Sequence, residues 1–264
     1  MFGRRRNRRE ALKREPFPPR WLEIIEQRVA YWHLLSTADK LELLGLVRIF
    51  LDEKKFEGCG GLEMNDTIKV VIATLACILL LHRETDVYPG LDSILVYPKE
   101  FASPVEEYHE PGIVSSGLET REGESWGEGA LVLSWDVVLE DAADASDGVN
   151  VVFHEFAHQL DDEAARAGLA AALPAAEIEA WGAVMDREYR ELVEDLAEGY
   201  DTLLDEYAAE SPAEFFAVVT EYFFEMPLDL EDEHPDLYDA MRLYYRQDPA
   251  EMFIRSKPGD DTVH

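Results

Sequence analysis

Residues 151–161 read Val-Val-Phe-His-Glu-Phe-Ala-His-Gln-Leu-Asp, and they hold the strongest chemical signal in the chain. On a helix, His154 and His158 lie one turn apart on the same face, so both imidazoles can reach one ion. Neutral imidazole suits Zn²⁺, and the pair would fix two corners of a tetrahedron. Glu155, beside the first histidine, is placed to act as general base, taking a proton from a water whose pKa the metal lowers. The flanking Val151, Val152, Phe153, Phe156, Ala157 and Leu160 predict a buried helix. Three titratable groups within five buried residues are costly unless they coordinate something. The bland alternative is a chance pattern in which these side chains merely pair with neighbours.

A catalytic zinc needs a third protein ligand and an open position. The extended HExxHxxGxxH pattern does not supply it, because Asp161 and Ala164 stand where it requires Gly and His. The third donor must come from another element. Residues 211–224 (SPAEFFAVVTEYFF) predict a helix with Ser211 as N-cap and Pro212 at its first position. Glu214 and Glu221 lie two turns apart on one face of that apolar helix. Ser211 and Glu214 also spell a capping box, in which the glutamate would serve its own helix terminus. Spacing alone leaves ligand and cap equally open. Glu221 reads either as an outer partner of a ligand or as a solvated acid. Asp161 and Asp162 are equal candidates to accept the second ring N–H of a metal-bound histidine. Tyr207 could hold a phenol near a substrate oxyanion, although a surface tyrosine is the commoner case.

The elements that must position these groups follow from periodicity. The chain has 264 residues, enough for a sizeable core. Apolar residues from Trp21 to Trp32 recur at helical spacing, and Thr37–Asp39 opens a helix over about 41–51. Asn65 or Asp66 caps a strongly apolar helix running to about His82, whose apolar run at 70–81 is too short to span a membrane. Residues 93–97 (SILVY) and 130–135 (ALVLSW) predict strands, the second an edge strand along which substrate would lie. Between them, 106–129 is acidic and aperiodic, either partly ordered or a functional loop. Helical patterns return near 150–162, 176–198, 211–225 and 235–246. The expected fold class is therefore α+β, helix-rich, with a small sheet beside the HExxH helix.

Charge and cysteine content narrow the setting. Fifty-six acidic against 24 basic residues give a formal net charge of −32, which repels nucleic acid and anionic membrane. The exception is a basic run at Arg4, Arg5, Arg6, Arg8 and Arg9, so 1–20 is expected to be a flexible arm and 21–264 one domain. That basic run leads into no apolar signal region. Cys59 and Cys77 are too far apart for a redox pair and suit a reducing cytoplasm.

Taken together, HEFAHQLD, GESWGEGALVLSWDVVL before it and YAAESPAEFFAVVTEYFFEMP after it resemble the Mlc titration factor A family of bacterial glucose-regulated zinc peptidases. RREALKREPFPPRW, FLDEKKFEGCGGL and YPGLDSILVYP extend the resemblance over nearly the whole chain. That family is similar in its metal site to the catalytic domain of anthrax lethal factor. There the ligand glutamate lies near the start of a similar helix, with an assisting tyrosine seven residues earlier. The resemblance thus implies a zincin-like metallopeptidase with His154, His158 and Glu214 as metal ligands, Zn²⁺ as cofactor, and Glu155 and Tyr207 as catalytic residues. It also implies aminopeptidase-like action on peptide substrates and binding to a transcriptional repressor of the Mlc type, although no repressor-contacting residue can be matched. The rival from another class is a regulatory binding protein that sequesters a transcription regulator and keeps zinc for structure. A further rival is an acidic chaperone-like protein with an accidental HExxH.

Overall fold

The computed structural model describes residues 2–83, 86–99, 101–108, 114–121, 123–126, 129–169 and 172–256. It is a helix-rich α+β structure. Helices α1 (Phe2–Arg14), α2 (Pro19–Arg28) and α3 (Thr37–Glu53) precede strand β1 (Lys55–Gly58) and helix α4 (Asp66–Ile78). Strands β2 (Ser93–Tyr97), β3 (Phe101–Tyr108), β4 (Val114–Arg121), β5 (Gly123–Trp126) and β6 (Ala130–Ser134) form the middle of the chain. Helices α5 (Trp135–Ala143), α6 (Val151–Ala167), α7 (Ile178–Glu198), α8 (Pro212–Glu225), α9 (Pro227–Glu233), α10 (Pro235–Tyr245) and α11 (Pro249–Ser256) complete it.

Helices α4 and α8 are among the most buried elements of the core. In α4 every residue from Val70 to Ile78 is buried, because α2, α3, α5 and α6 surround it. Asn65 starts it by accepting the Ile68 N–H at 3.1 Å, which decides between the two expected caps. In α8 the run from Phe215 to Glu221 is buried against α6. Aromatic rings lock these layers together: Phe156 meets Tyr88 edge-on at 4.7 Å, and Phe153 meets Phe224 at 5.2 Å. Such contacts combine apolar burial with favourable ring geometry.

The main sheet has the order β1-β2-β6-β5. Strands β1, β2 and β6 are parallel, and β5 returns antiparallel on β6. Parallel strands need a crossover, and α4 lies in the one between β1 and β2. Ile94 and Val96 of β2 sit opposite Leu131 and Leu133 of β6, all four buried. The expected edge strand is therefore misplaced. β6 is flanked on both sides, and the sheet ends at β5, which also lies against α6. Trp135 already belongs to α5. Much of 106–129 is strand: β3 and β4 pair antiparallel from Phe101↔Arg121 to Tyr108↔Val114, and β5 follows.

The basic N-terminus is helical over Phe2–Arg14. It forms α1, laid along α3. Arg5 reaches Glu53 at 2.7 Å, Arg9 reaches Glu53 at 2.6 Å, and Arg9 also pairs with Asp86. Burial would raise the Glu53 pKa, but the two guanidinium groups outweigh it and hold that carboxyl down at about 2. Cys77 is buried, Cys59 is half-buried, and both are free thiols. No helix among the described residues is long and apolar enough to cross a membrane.

Candidate metal centre

Helix α6 carries the first two site residues. Its apolar side is fixed in the core by Val152, Phe153, Phe156, Ala157 and Leu160, so its fourth and eighth residues, His154 and His158, share the other side of the helix. Gly168 ends the helix at φ +84°, a backbone conformation that costs an L side chain strain. Helix α8 crosses α6 and brings Glu214 to the same place.

His154 Nε2 and His158 Nε2 lie 3.2 Å apart, and Glu214 Oε2 is 3.0 Å from the first and 3.3 Å from the second. A tetrahedral Zn²⁺ with bonds of about 2.0–2.1 Å has ligand atoms about 3.3 Å apart. The three donors already span one face of such a tetrahedron. Among the described residues this is the one cluster of His, Cys and acid side chains with metal-holding geometry.

Electrostatics agree with the distances. Burial disfavours a charged His154, yet hydrogen bonds to Glu214 and Glu221 outweigh it and push its pKa up to about 10. The two histidines in turn hold the Glu214 carboxyl far below its usual range, against its own partial burial. The cluster therefore attracts positive charge. A proton can serve one donor pair, whereas a divalent ion satisfies all three donors at once.

Glu214 does not close the capping box. Ser211 Oγ accepts the Glu214 N–H at 3.1 Å, but the carboxylate turns to the imidazoles instead of back to the Ser211 backbone. Glu221 is buried, and its Oε1 accepts from His154 Nδ1 at 2.8 Å. That bond places the Nδ1 proton and leaves Nε2 to act as donor atom on the side of His158 and Glu214. Asp161 makes no hydrogen bond to either imidazole among the described residues, and Asp162 pairs on the surface with Arg166 at 3.2 Å. Glu155 is buried at 6% exposure beside the first histidine. Tyr207 lies on a short 3₁₀ turn (Glu206–Ala209) before α8, 44% exposed, its ring centroid 5.9 Å from that of His154.

Apart from Glu221, the groups that hold the start of α6 were not singled out in the sequence. Asn150 caps it, its Oδ1 accepting the Phe153 N–H at 3.1 Å. The Asn150 N–H donates to Glu221 Oε2 at 2.6 Å, and the Val151 N–H to Asp141 Oδ2 at 2.8 Å. An asparagine before an apolar helix is a legible cap. Its cross-helix partners are tertiary and leave no local signal.

Two histidines on one helix and a glutamate from another form the donor set of a class of metallopeptidases. Comparison with known proteins bears out that class: residues 3–246 match the family described as glucose-regulated metallo-peptidase M90, and the chain belongs to it. It is 37% identical over 246 residues to the uncharacterized protein slr2042 of Synechocystis, covering 92% of this chain and 89% of that one. It is 31% identical over 236 residues to Mlc titration factor A of Escherichia fergusonii, covering 87% and 86%. With the same-named protein of Pectobacterium atrosepticum the figures are 34% over 220 residues, 81% and 82%.

Proposed function

We propose that the protein is a zinc-dependent, aminopeptidase-like peptidase of zincin-like fold, with residues 21–264 as one catalytic domain working in the cytoplasm. The observation that carries this reading is the 3.0–3.3 Å triangle of His154, His158 and Glu214. These three residues hold the ion. Bound Zn²⁺ supplies Lewis acidity, lowering the pKa of water and polarising a carbonyl. Glu155 takes the proton of the attacking water and returns it to the leaving amine. The Tyr207 phenol donates to the oxyanion as it develops. Peptide substrate lies along the outer edge of β5, the sheet edge next to α6.

Replacing Glu155 by Gln keeps the shape and removes the base, so zinc content should persist while hydrolysis of aminoacyl and short-peptide reporters falls by roughly 10²-fold or more. Unchanged turnover would remove Glu155 from this role. The second reading, a regulatory binding protein with structural zinc, draws on the name Mlc titration factor A borne by several relatives. A zinc-loaded parent that hydrolyses no peptide but binds an Mlc-type repressor would favour it.

A further inference from the structure

The start of α6 is held by a group that belongs to no donor set. Asn150 is 1% exposed and makes three separate ties, two through its side chain and one through its backbone. Besides capping its own helix, it donates through its backbone N–H to Glu221 Oε2 at 2.6 Å and through Nδ2 to Glu225 Oε1 at 2.9 Å. Glu221 and Glu225 are one turn apart on α8, so a single residue of α6 grips two successive turns of the neighbouring helix. The amide orientation follows from its partners. Turning it over would set Nδ2 against the Phe153 N–H, donor against donor.

We propose that Asn150 is a positioning residue for the metal centre, fixing the α6–α8 register in which Glu221 meets His154 Nδ1. This rests on the reading of His154 as a ligand. The route is short and continuous. Asn150 grips α8 at Glu225 and Glu221, Glu221 Oε1 accepts from His154 Nδ1, and the opposite ring nitrogen faces His158 and Glu214. A slip of the helices would lengthen the Glu221 bond and let the ring rotate away from the other two donors. Outer partners of this kind typically change metal affinity by about 10- to 100-fold.

Asn150→Ser separates the brace from the cap. Serine caps a helix about as well as asparagine, but it is too short to reach Glu225. Glu225→Gln is the conservative control, because its amide oxygen still accepts from Asn150 Nδ2. Two measurements are made on parent, Asn150→Ser, Glu225→Gln and Glu221→Gln proteins. The first is solvent exchange of the His154 ring Nδ1–H by NMR in metal-free protein; the second is competitive zinc titration. In Asn150→Ser we expect ring-proton exchange about 10-fold faster and zinc binding about 10-fold weaker, near-parent values in Glu225→Gln, and no further loss when Asn150→Ser is added to Glu221→Gln. Parent-like exchange and affinity in Asn150→Ser would overturn the inference, as would a zinc loss that adds in full to that of Glu221→Gln. A parent that binds no zinc refutes the metal reading instead, and the metal-free exchange rates still decide whether Asn150 holds the ring.

Discussion

Helices α3 and α8 both open with Ser-x-x-acid, Ser36 to Asp39 in one and Ser211 to Glu214 in the other. At α3 the motif closes on itself. Ser36 Oγ accepts the Asp39 N–H at 3.2 Å, and Asp39 Oδ2 accepts the Ser36 N–H at 3.3 Å. At α8 only the serine half forms, and the acid leaves for His154 and His158. Asp39 also has a histidine nearby, His82 at 3.0 Å, but that ring is 39% exposed and approaches alone. Two converging, nearly buried imidazoles on α6 outbid a single backbone N–H that water can satisfy. A capping motif thus defines where a helix starts, while what lies across the tertiary contact decides where its acid goes.

The largest effects should fall on the α8 acid and its partners. His154→Ala or His158→Ala should abolish stoichiometric zinc by elemental analysis. Glu214→Gln should weaken zinc by more than the roughly 10- to 100-fold of an outer partner, whereas Asp39→Asn leaves zinc unchanged. If Gln at 214 holds zinc as well as the parent does, both acids are caps and the contrast disappears. Next comes Glu221→Gln, which keeps an acceptor for the His154 ring but removes the charge; about a 10- to 100-fold loss of affinity is expected in the same titration. A loss larger than that of Glu214→Gln would exchange the roles of the two glutamates.

Smaller effects concern stability. Ser36→Ala and Ser211→Ala should each cost about 1 kcal/mol in urea unfolding of metal-free protein. Ser36→Ala and Asp39→Ala should be non-additive, because each completes the other's cap, while Ser211→Ala and Glu214→Ala should add. Additivity at both helices would show that the α3 box contributes nothing as a unit.

The smallest effect comes from a third helix start that uses no serine. His234 precedes α10 and bonds through Nδ1 to Glu188 at 3.0 Å, while Arg187 holds the other oxygen of Glu188 at 2.7 Å. The Glu188 carboxylate raises the His234 pKa, and His234 followed by Arg187 lowers that of Glu188. A histidine raised above its unfolded value stabilises fully below about pH 6.5 and gives this up as pH rises through its folded pKa. A depressed glutamate stabilises above about pH 4.5 and loses this as pH falls through its folded pKa. The stability gap between parent and His234→Asn should therefore be widest near about pH 5.5 and narrower at about pH 8.5. A gap of equal size at both pH values would remove the ion pair.

What the chain reveals without its fold divides along the same line. His154, Glu155 and His158 are legible because their relation is local, one helical turn, and the cores of α3, α4 and α8 announce themselves by apolar periodicity and caps. The fate of Glu214 stayed open because cap and ligand share one spacing. Glu221 could be read as an outer partner from the face it shares with Glu214, but its meeting with His154 and Asn150 spans two helices and has no local signal. The basic N-terminus shows no apolar rhythm, since what lays α1 along α3 includes ion pairs to Glu53 and Asp86, far along the chain. β6 looked like an edge because β5, its outer neighbour, sits in an acidic stretch with no strand-like alternation.

The separation of the three donor atoms along the chain has a consequence for biosynthesis. His154 and His158 leave the ribosome together, but Glu214 follows only after the whole of α7 has been made. Until α8 is complete, the nascent protein carries the HEFAHQLD helix with neither the third donor nor the Glu221 carboxylate that holds the first ring. A chain arrested before residue 212 could trap zinc only weakly, through two histidines. On the proposed ligand set, the donor triad is complete only once residue 214 has been made, so a product truncated before it would lack the third donor.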